Sequence, residues 1–122
     1  NFNGSSKLKK NSRNILTIIS NETSTLIKII DSSTNKVLTK ISTNHFLLCC
    51  IQINSHTIAA SVDDCSIIIW DTQTGEEIDL LKGHTKQVLC MLNLEEGEFA
   101  SGGADCLIKI WHHQNKDNSL QS

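Results

Sequence analysis

Apolar residues occur in short runs separated by turn-forming residues along most of the chain. The run Ile67-Ile68-Ile69-Trp70 is typical. It is rich in β-branched residues and far shorter than the roughly 18 residues of a membrane-spanning helix. Helix caps and 3.6-residue periodicity do not occur in the sequence. The pattern predicts an all-β chain, with strands at Phe46–Gln52, Thr57–Ser61, Ile67–Asp71, Glu77–Leu81, Gln87–Leu94, Glu98–Ser101 and Cys106–His112.

The same residues return at a fixed interval. An offset of 41 positions relates Trp70 to Trp111. It also relates Cys49 to Cys90, Ala59 to Ala100, Asp64 to Asp105, Cys65 to Cys106 and Ile67 to Ile108. An offset of 40 positions relates Ile30-Asp31 to Trp70-Asp71, Thr34 to Thr74 and Ile18 to Ile58. A period near 40 residues made of short strands predicts a repeated β-sheet unit.

The turns and the strand faces indicate what the unit is. Gly75 and Gly97 stand where hairpins need a positive φ, and Asn35 replaces Gly75 one period earlier. Strand residues are apolar on both faces: Val88, Cys90 and Leu92 are expected to point one way, Leu89 and Met91 the other. With no helix to cover them, such sheets must stack on one another. Four short strands every 40 residues therefore predict the blades of a β-propeller.

The last two units resemble the WD-repeat family. Gly83-His84 precedes Trp111, with Ser101-Gly102-Gly103-Ala104-Asp105 between them, and the earlier unit runs Trp70-Asp71 into Thr72-Gln73-Thr74-Gly75-Glu76. On these motifs the chain is identified as a member of this family over about residues 15–113. The sequence departs from the family pattern at His112, Ala60, Thr43, Ile30 and Ser24. These departures concern the polar positions of the blades more than the fold.

The resemblance implies a partial WD40 β-propeller of about two and a half four-stranded antiparallel blades. We expect a partial, degenerate blade at residues 15–41, a degenerate blade at 42–81, and a blade lacking its last strand at 82–113. Residues 1–14 are expected to form a basic polar linker, and 114–122 a polar tail or the start of the next connection. Propellers close with roughly four to eight blades. Closure therefore requires further blades, expected from a longer protein that contains this chain; the alternative is a ring of several copies.

One constellation has the residue types of a hydrolase triad: His84, Ser101 and Asp105. The family resemblance implies a structural network instead, in which Trp111 donates to Ser101, Ser101 to His84 and His84 to Asp105. This interpretation gives each buried polar group a partner, and we expect no enzyme.

The preceding blade keeps Asp64 and Trp70 but has Ala60 and Thr43 at the middle positions of the network. His45, two residues after Thr43, is a possible replacement for the missing histidine, although the loop would have to change register.

The expected function is that of a protein–protein interaction scaffold or adaptor. Loops on rigid scaffolds commonly carry binding sites. The loops that the family resemblance nominates contain Asn44, His45, Val62, Asp63, Thr85, Lys86, Gln87, Gly103 and Ala104. The alternative is a substrate-recognition or targeting propeller of a multidomain enzyme, such as a ubiquitin ligase or a kinase.

Amino-acid composition and net charge limit the classes of binding partner that we expect. The chain has 39% hydrophobic and 20% charged residues, which excludes a disordered acidic tail, and its net charge of −2 argues against general nucleic-acid binding. The basic start (Lys7, Lys9, Lys10 and Arg13) is interpreted as a solvated linker, with phosphate binding or nuclear import as alternatives. The expected partners are proteins or peptides, with no membrane insertion.

Cysteine usage indicates the compartment. Five cysteines without a Cys-x-x-Cys pair favour a reduced, intracellular protein, cytoplasmic or nuclear. Zinc sites use clustered ligands at close spacing, which the cysteines and His112-His113 do not provide. We therefore expect no metal and no cofactor.

Overall fold

The computed structural model describes residues 14–20 and 24–113. These residues form ten β-strands in three antiparallel sheets of three, four and three strands. The all-β prediction is confirmed. Within the described ranges, no helix is long and apolar enough to cross a membrane. Apart from Asn14, the predicted linker and polar tail lie outside the described residues.

The first sheet contains β1 (Asn14–Ser20), β2 (Thr25–Asp31) and β3 (Val37–Thr43), paired in that order. Alternation along β2 buries Thr25, Ile27 and Ile29 and leaves the residues between them half-buried. This period of two is expected of a strand with one covered face. The sheet belongs to a compact unit that ends at Asn44, and a second unit begins at His45.

The second and third sheets make up the second unit. The second sheet has the order β4-β5-β6-β7, and in the third β9 lies between β10 and β8. Every strand predicted in this region is present, with its ends shifted by no more than two residues. The observed bounds are β4 (Leu47–Asn54), β5 (Thr57–Val62), β6 (Ile67–Asp71), β7 (Glu77–Leu81), β8 (Val88–Glu95), β9 (Glu98–Gly103) and β10 (Ile108–His112).

Hairpin geometry repeats between the first two sheets. Asn35 has φ 61° and its N–H donates to Asp31 O at 2.7 Å; Gly75 has φ 77° and donates to Asp71 O at 2.7 Å. Gly97 also has a positive φ, 82°. The prediction that Asn35 replaces glycine in a left-handed position is confirmed. Asparagine tolerates this region better than most residues because its short polar side chain can bond locally.

The core of the second unit lies between its two sheets. The buried members are Ile53, Ala59, Ile67 and Ile69 from the second sheet and Val88 and Phe99 from the third. Phe99 stacks on Trp111 with ring centroids 6.5 Å apart. Two side chains also cross between the sheets, since Asn93 Nδ2 donates to Gln52 O at 2.9 Å and Ser61 Oγ donates to Val88 O at 3.0 Å.

A bulge in β8 changes which of its side chains share a face, compared with the sequence prediction. The pairing of β8 with β9 shifts between Val88 and Cys90. Val88 and Met91 consequently both pack in the core, while Cys90 and Leu92 are exposed. The predicted grouping of Val88 with Cys90 and Leu92 is therefore wrong, because one extra residue reverses the alternation.

The first sheet also departs from the sequence alignment. Ile58 pairs with Trp70 in the second sheet, but in the first sheet Ile30, the counterpart of Trp70, pairs with Ile15. Ile15 rather than Ile18 is thus the structural counterpart of Ile58. The partners Ile15 and Ile30 are 15 positions apart in sequence, whereas Ile58 and Trp70 are 12 apart, and the sequence offset did not reveal this shift.

We expect Phe99→Ala to lower the free energy of unfolding by about 3–5 kcal/mol, because it empties a buried site between two sheets. Urea denaturation of the 122-residue chain would measure this. Leu80→Ala is the matched control, since Leu80 is an exposed apolar residue in β7, and it should change stability by less than about 1 kcal/mol. Equal effects of the two variants would contradict the assigned core.

Candidate functional site

Four side chains of the third sheet and its preceding loop form one hydrogen-bonded chain. Trp111 Nε1 lies 2.7 Å from Ser101 Oγ, and Ser101 Oγ lies 2.7 Å from His84 Nε2. His84 Nδ1 lies 3.0 Å from each carboxylate oxygen of Asp105. The structure therefore brings together residues from strands β9 and β10, the β7–β8 loop and the β9–β10 turn.

The direction of donation follows from the groups involved. An ionised Asp105 only accepts, so His84 carries its proton on Nδ1 and donates it to the carboxylate. In this tautomer Nε2 accepts from the Ser101 hydroxyl, and Ser101 Oγ accepts from the Trp111 indole N–H. Each group in the chain has a partner that suits its chemistry.

Asp105 anchors this set of hydrogen-bonded side chains. Its side chain is 4% exposed, and its oxygens also accept from the backbone N–H of Thr85 at 2.9 Å and of Leu107 at 3.2 Å. Burial by itself raises the pKa of Asp105. The donors from Thr85, His84 and Leu107 outweigh burial and lower this pKa to about 2. The carboxylate thus ties the loop before β8 to the turn after β9.

The β9–β10 turn fits tightly around this anchor. A Cβ on Gly103 would lie 2.6 Å from His84 Nδ1 and 2.7 Å from Asp105 Oδ1, so only glycine fits there. Cys106 closes the turn at φ 69°, and Cys65 occupies the same place in the second sheet at φ 76°. Sequence reasoning missed this left-handed position, because cysteine is not a residue that indicates it.

The order Ser101–His84–Asp105 has the connectivity of a hydrolase triad, but Ser101 is not accessible. Ser101 is 1% exposed, and its oxygen also accepts the Trp111 indole N–H. A substrate would have to displace Trp111 and open the sheet to reach Oγ. The arrangement holds the loop and the turn together.

The second sheet has a different arrangement around Asp64. Its Oδ1 accepts from the Ser66 hydroxyl at 2.5 Å and from the Ser66 N–H at 3.2 Å. These bonds lower the pKa of Asp64, the hydroxyl contributing most, and the charges of His45 and Lys82 lower it further. Ser66 was not among the predicted site residues. The replacement of the missing histidine by His45 stays a prediction.

Trp70 is buried, as is Ala60, which occupies the position of Ser101 and offers no side-chain acceptor. The structure therefore does not bring Asp64 and Trp70 into a chain through Ala60. The network is complete in one sheet and replaced by a local Asp64–Ser66 contact in the other.

The nominated loop residues fall into three groups by exposure. Most are exposed: Asn44, Asp63, Thr85, Lys86, Gln87 and Ala104. His45 and Gly103 are half-buried, and Gly103 is in addition covered by His84. Val62, the last residue of β5, has no exposed surface. Its nomination as a binding residue is wrong. The Ala104 N–H donates to Gln87 O at 2.8 Å, which joins two of the exposed segments directly.

The cysteines lie in strands β4 and β8 or in the turns after β5 and β9. All five are free thiols. Burial, and secondarily the adjacent Cys49, raises the pKa of Cys50 to about 12, so this thiol stays protonated. Among the described residues, no group of three or more histidine, cysteine, aspartate or glutamate side chains is placed to hold a metal ion.

Comparisons with known proteins identify the repeat. A family model described as "WD domain, G-beta repeat" matches residues 75–112. An uncharacterised WD repeat-containing protein of Schizosaccharomyces pombe is 32% identical over 108 residues, covering 81% of this chain and 29% of its own length. Nuclear distribution protein nudF 1 of Talaromyces marneffei is 46% identical over 59 residues, covering 46% of this chain and 13% of its own length.

A solved structure supports the same fold. The computationally designed Ika4 protein superposes with a TM-score of 0.60 at 17% identity, over 81% of this chain and 66% of its own. The chain spans less than a third of the length of the two natural relatives. The likeness to them therefore concerns the repeat rather than their whole polypeptides.

We expect Ser101→Ala to lower the free energy of unfolding by about 1–3 kcal/mol, because it leaves the Trp111 N–H and His84 Nε2 without a partner. Urea denaturation measures the change, with Ser55→Ala in an exposed turn as the control. A variant that kept wild-type stability but lost hydrolysis of a simple ester would support the catalytic interpretation instead.

The lowered pKa of Asp105 predicts that the wild type and an Asp105→Asn variant differ in how their stability depends on acid pH. A carboxylate whose pKa falls on folding stabilises the folded state above its unfolded pKa, near 4, and loses this effect as the pH falls toward about 2. The wild type should therefore exceed Asp105→Asn in thermal stability at neutral pH, and the gap should narrow between pH values of about 4 and about 2. Melting curves that stay equally separated across this range would contradict the assignment.

Proposed function

Because this chain carries WD40 repeats and is a member of the WD-repeat family, we propose that it is a protein-interaction module that binds a protein or peptide through its loop edge. The loop edge consists of Thr85, Lys86 and Gln87 before β8, Ala104 after β9, and Asp63 after β5. WD40 repeats generally serve as interaction scaffolds, and no catalytic step is assigned to this chain.

The observation that carries the proposal is that hydrogen bonds fix the backbone on both sides of an exposed side chain. Asp105 holds the Thr85 backbone at 2.9 Å, and the Ala104 N–H holds the Gln87 carbonyl at 2.8 Å. Lys86 lies between these two fixed points and is exposed. A loop held in this way presents its polar groups without losing much conformational entropy on binding, which favours affinity.

The structural role of His84, Ser101, Asp105 and Trp111 is part of this proposal. Their polar chain supports the loop edge from beneath, and none of the four has to contact the partner. We further propose an intracellular location, supported by the five free thiols and by the similarity to a nuclear distribution protein.

Charge reversal at the loop edge tests the proposal. Lys86→Glu and Asp63→Lys should each reduce recovery of specifically retained proteins about tenfold when the immobilised chain is incubated with cell extract and eluates are quantified by mass spectrometry. Both residues are exposed, so melting temperatures should not change.

The control is Glu76→Lys, an exposed charge in the β6–β7 hairpin away from these loops. It should retain the same proteins as the wild type. If the two loop variants retained them as well, the loop edge would not be the binding surface.

A further inference from the structure

An exposed aromatic side chain lies beside the loop edge, at a position that the fold does not require to be apolar. Phe46 immediately precedes β4 and is 53% exposed. In the described part of the chain it is the only aromatic residue among the large exposed apolar side chains. Its counterpart 41 positions later is Gln87, an exposed polar residue. Core packing therefore does not account for the aromatic ring at position 46.

The strand register places Phe46 opposite Asp63. Leu47 pairs with Val62 in the antiparallel ladder of β4 and β5, so the next residue outward is Phe46 on one strand and Asp63 on the other. Both members of the last pair are buried, which fixes the backbone beneath the two outer residues. Residues opposite each other in such a ladder have Cβ atoms about 5 Å apart. One side chain of a partner can therefore contact both Phe46 and Asp63.

The third sheet shows the same arrangement directly. Gln87 and Ala104 occupy the positions that correspond to Phe46 and Asp63, 41 residues later. The Ala104 N–H donates to Gln87 O at 2.8 Å, so these two positions face each other across the end of the ladder. The repeat thus supports the juxtaposition that the register of the second sheet indicates.

Asp63 and Asp64 differ in the partners that the chain gives them. Asp64 accepts two hydrogen bonds from Ser66, and the charges of His45 and Lys82 act on its carboxylate. Among residues 14–20 and 24–113, no hydrogen bond or ion pair engages the Asp63 carboxylate, which is exposed. Asp63 is therefore the carboxylate that is available to a cation from outside the chain.

A free carboxylate beside an exposed aromatic ring suits a basic side chain. An ammonium or guanidinium group is attracted to the face of an aromatic ring, and it forms charge-assisted hydrogen bonds with a carboxylate. The alkyl stem of lysine or arginine also packs on apolar surface. An acidic side chain would be repelled by Asp63, and a purely apolar one would desolvate this carboxylate without giving it a partner.

We propose that Phe46 and Asp63 form a subsite of the loop edge that binds a lysine or arginine side chain of the partner peptide. This inference rests on the proposed function, because it names the kind of side chain that the loop edge recognises. It adds Phe46 to the residues that contact the partner. Lys86, which belongs to the loop before β8, contacts a different group of the partner.

Peptide selection followed by affinity measurement tests the proposal. Random peptides of about 12 residues are selected on the immobilised 122-residue chain, and the binding of one enriched peptide is measured by fluorescence polarisation. The enriched peptides should contain an arginine or lysine. Its replacement by norleucine, an unbranched uncharged residue, should weaken binding about tenfold, because the charge contacts both the ring and the carboxylate.

Variants of the chain locate the basic residue of the peptide. Asp63→Asn removes the charge and Phe46→Leu removes the ring but keeps an apolar side chain. Each should weaken binding of the basic peptide about fivefold and change binding of the norleucine peptide less than about twofold. Phe46→Tyr keeps a ring and should bind like the wild type. Both positions are exposed, so melting temperatures should not change.

Two matched controls lie in β7, away from the loop edge. Glu77→Gln removes an exposed charge and Leu80→Ala removes an exposed apolar side chain. Both variants should bind the basic peptide with wild-type affinity. Weakening by these controls to the extent seen for Asp63→Asn and Phe46→Leu would show nonspecific contact and would overturn the proposal.

The remaining contrary outcomes separate this subsite from the proposed function. Wild-type affinity for the norleucine peptide would show that the site takes an apolar side chain, and enrichment of no peptide or only of peptides without a basic residue would also overturn the subsite. The proposed function is decided by the proteins retained from cell extract. If Lys86→Glu lost those proteins while Asp63→Asn and Phe46→Leu kept them, the loop edge would bind its partner without this subsite.

Discussion

Burial of one apolar sheet face against another is the interaction on which the second unit of this chain depends. The described residues include no helix to cover the sheets, so Ile67 and Ile69 can leave water only where Phe99 and Val88 of the next sheet meet them. Apolar burial contributes about 25 cal/mol per Å² of surface removed from water. Polar bonds such as Asn93 to Gln52 O then fix the register in which the two sheets lie.

The buried polar chain from Trp111 to Asp105 is compatible with this apolar packing because it leaves no group unpaired. No buried side-chain nitrogen or oxygen in the described part of the chain lacks a hydrogen-bond partner. This hydrogen-bonded set of side chains is tolerated because the carboxylate of Asp105, at its end, is held by backbone N–H groups as well as by His84. The second sheet shows a second solution, in which Ala60 packs without polar atoms and Asp64 bonds to Ser66 alone.

The sequence allowed the strand order and the hairpins to be predicted because these depend on local signals. Turn residues such as Asn35 and Gly75, and the 41-residue recurrence of Asp64 and Trp70 at Asp105 and Trp111, are visible without any tertiary information. The features that were missed depend on pairing. The bulge after Val88 and the shifted pairing of Ile15 with Ile30 change which side chains share a face, although neither alters the hydrophobic pattern. The burial of Val62 likewise follows from its neighbours rather than from its place beside a turn.

The two left-handed cysteines show how far the repetition between the second and third sheets extends. Cys65 and Cys106 occupy the same turn position with φ values of 76° and 69°, a conformation that a residue with a Cβ adopts at some cost. Glycine would adopt it freely, since it has no Cβ. The paired cysteines therefore show that the 41-residue recurrence extends to a position whose backbone conformation does not by itself favour the shared residue.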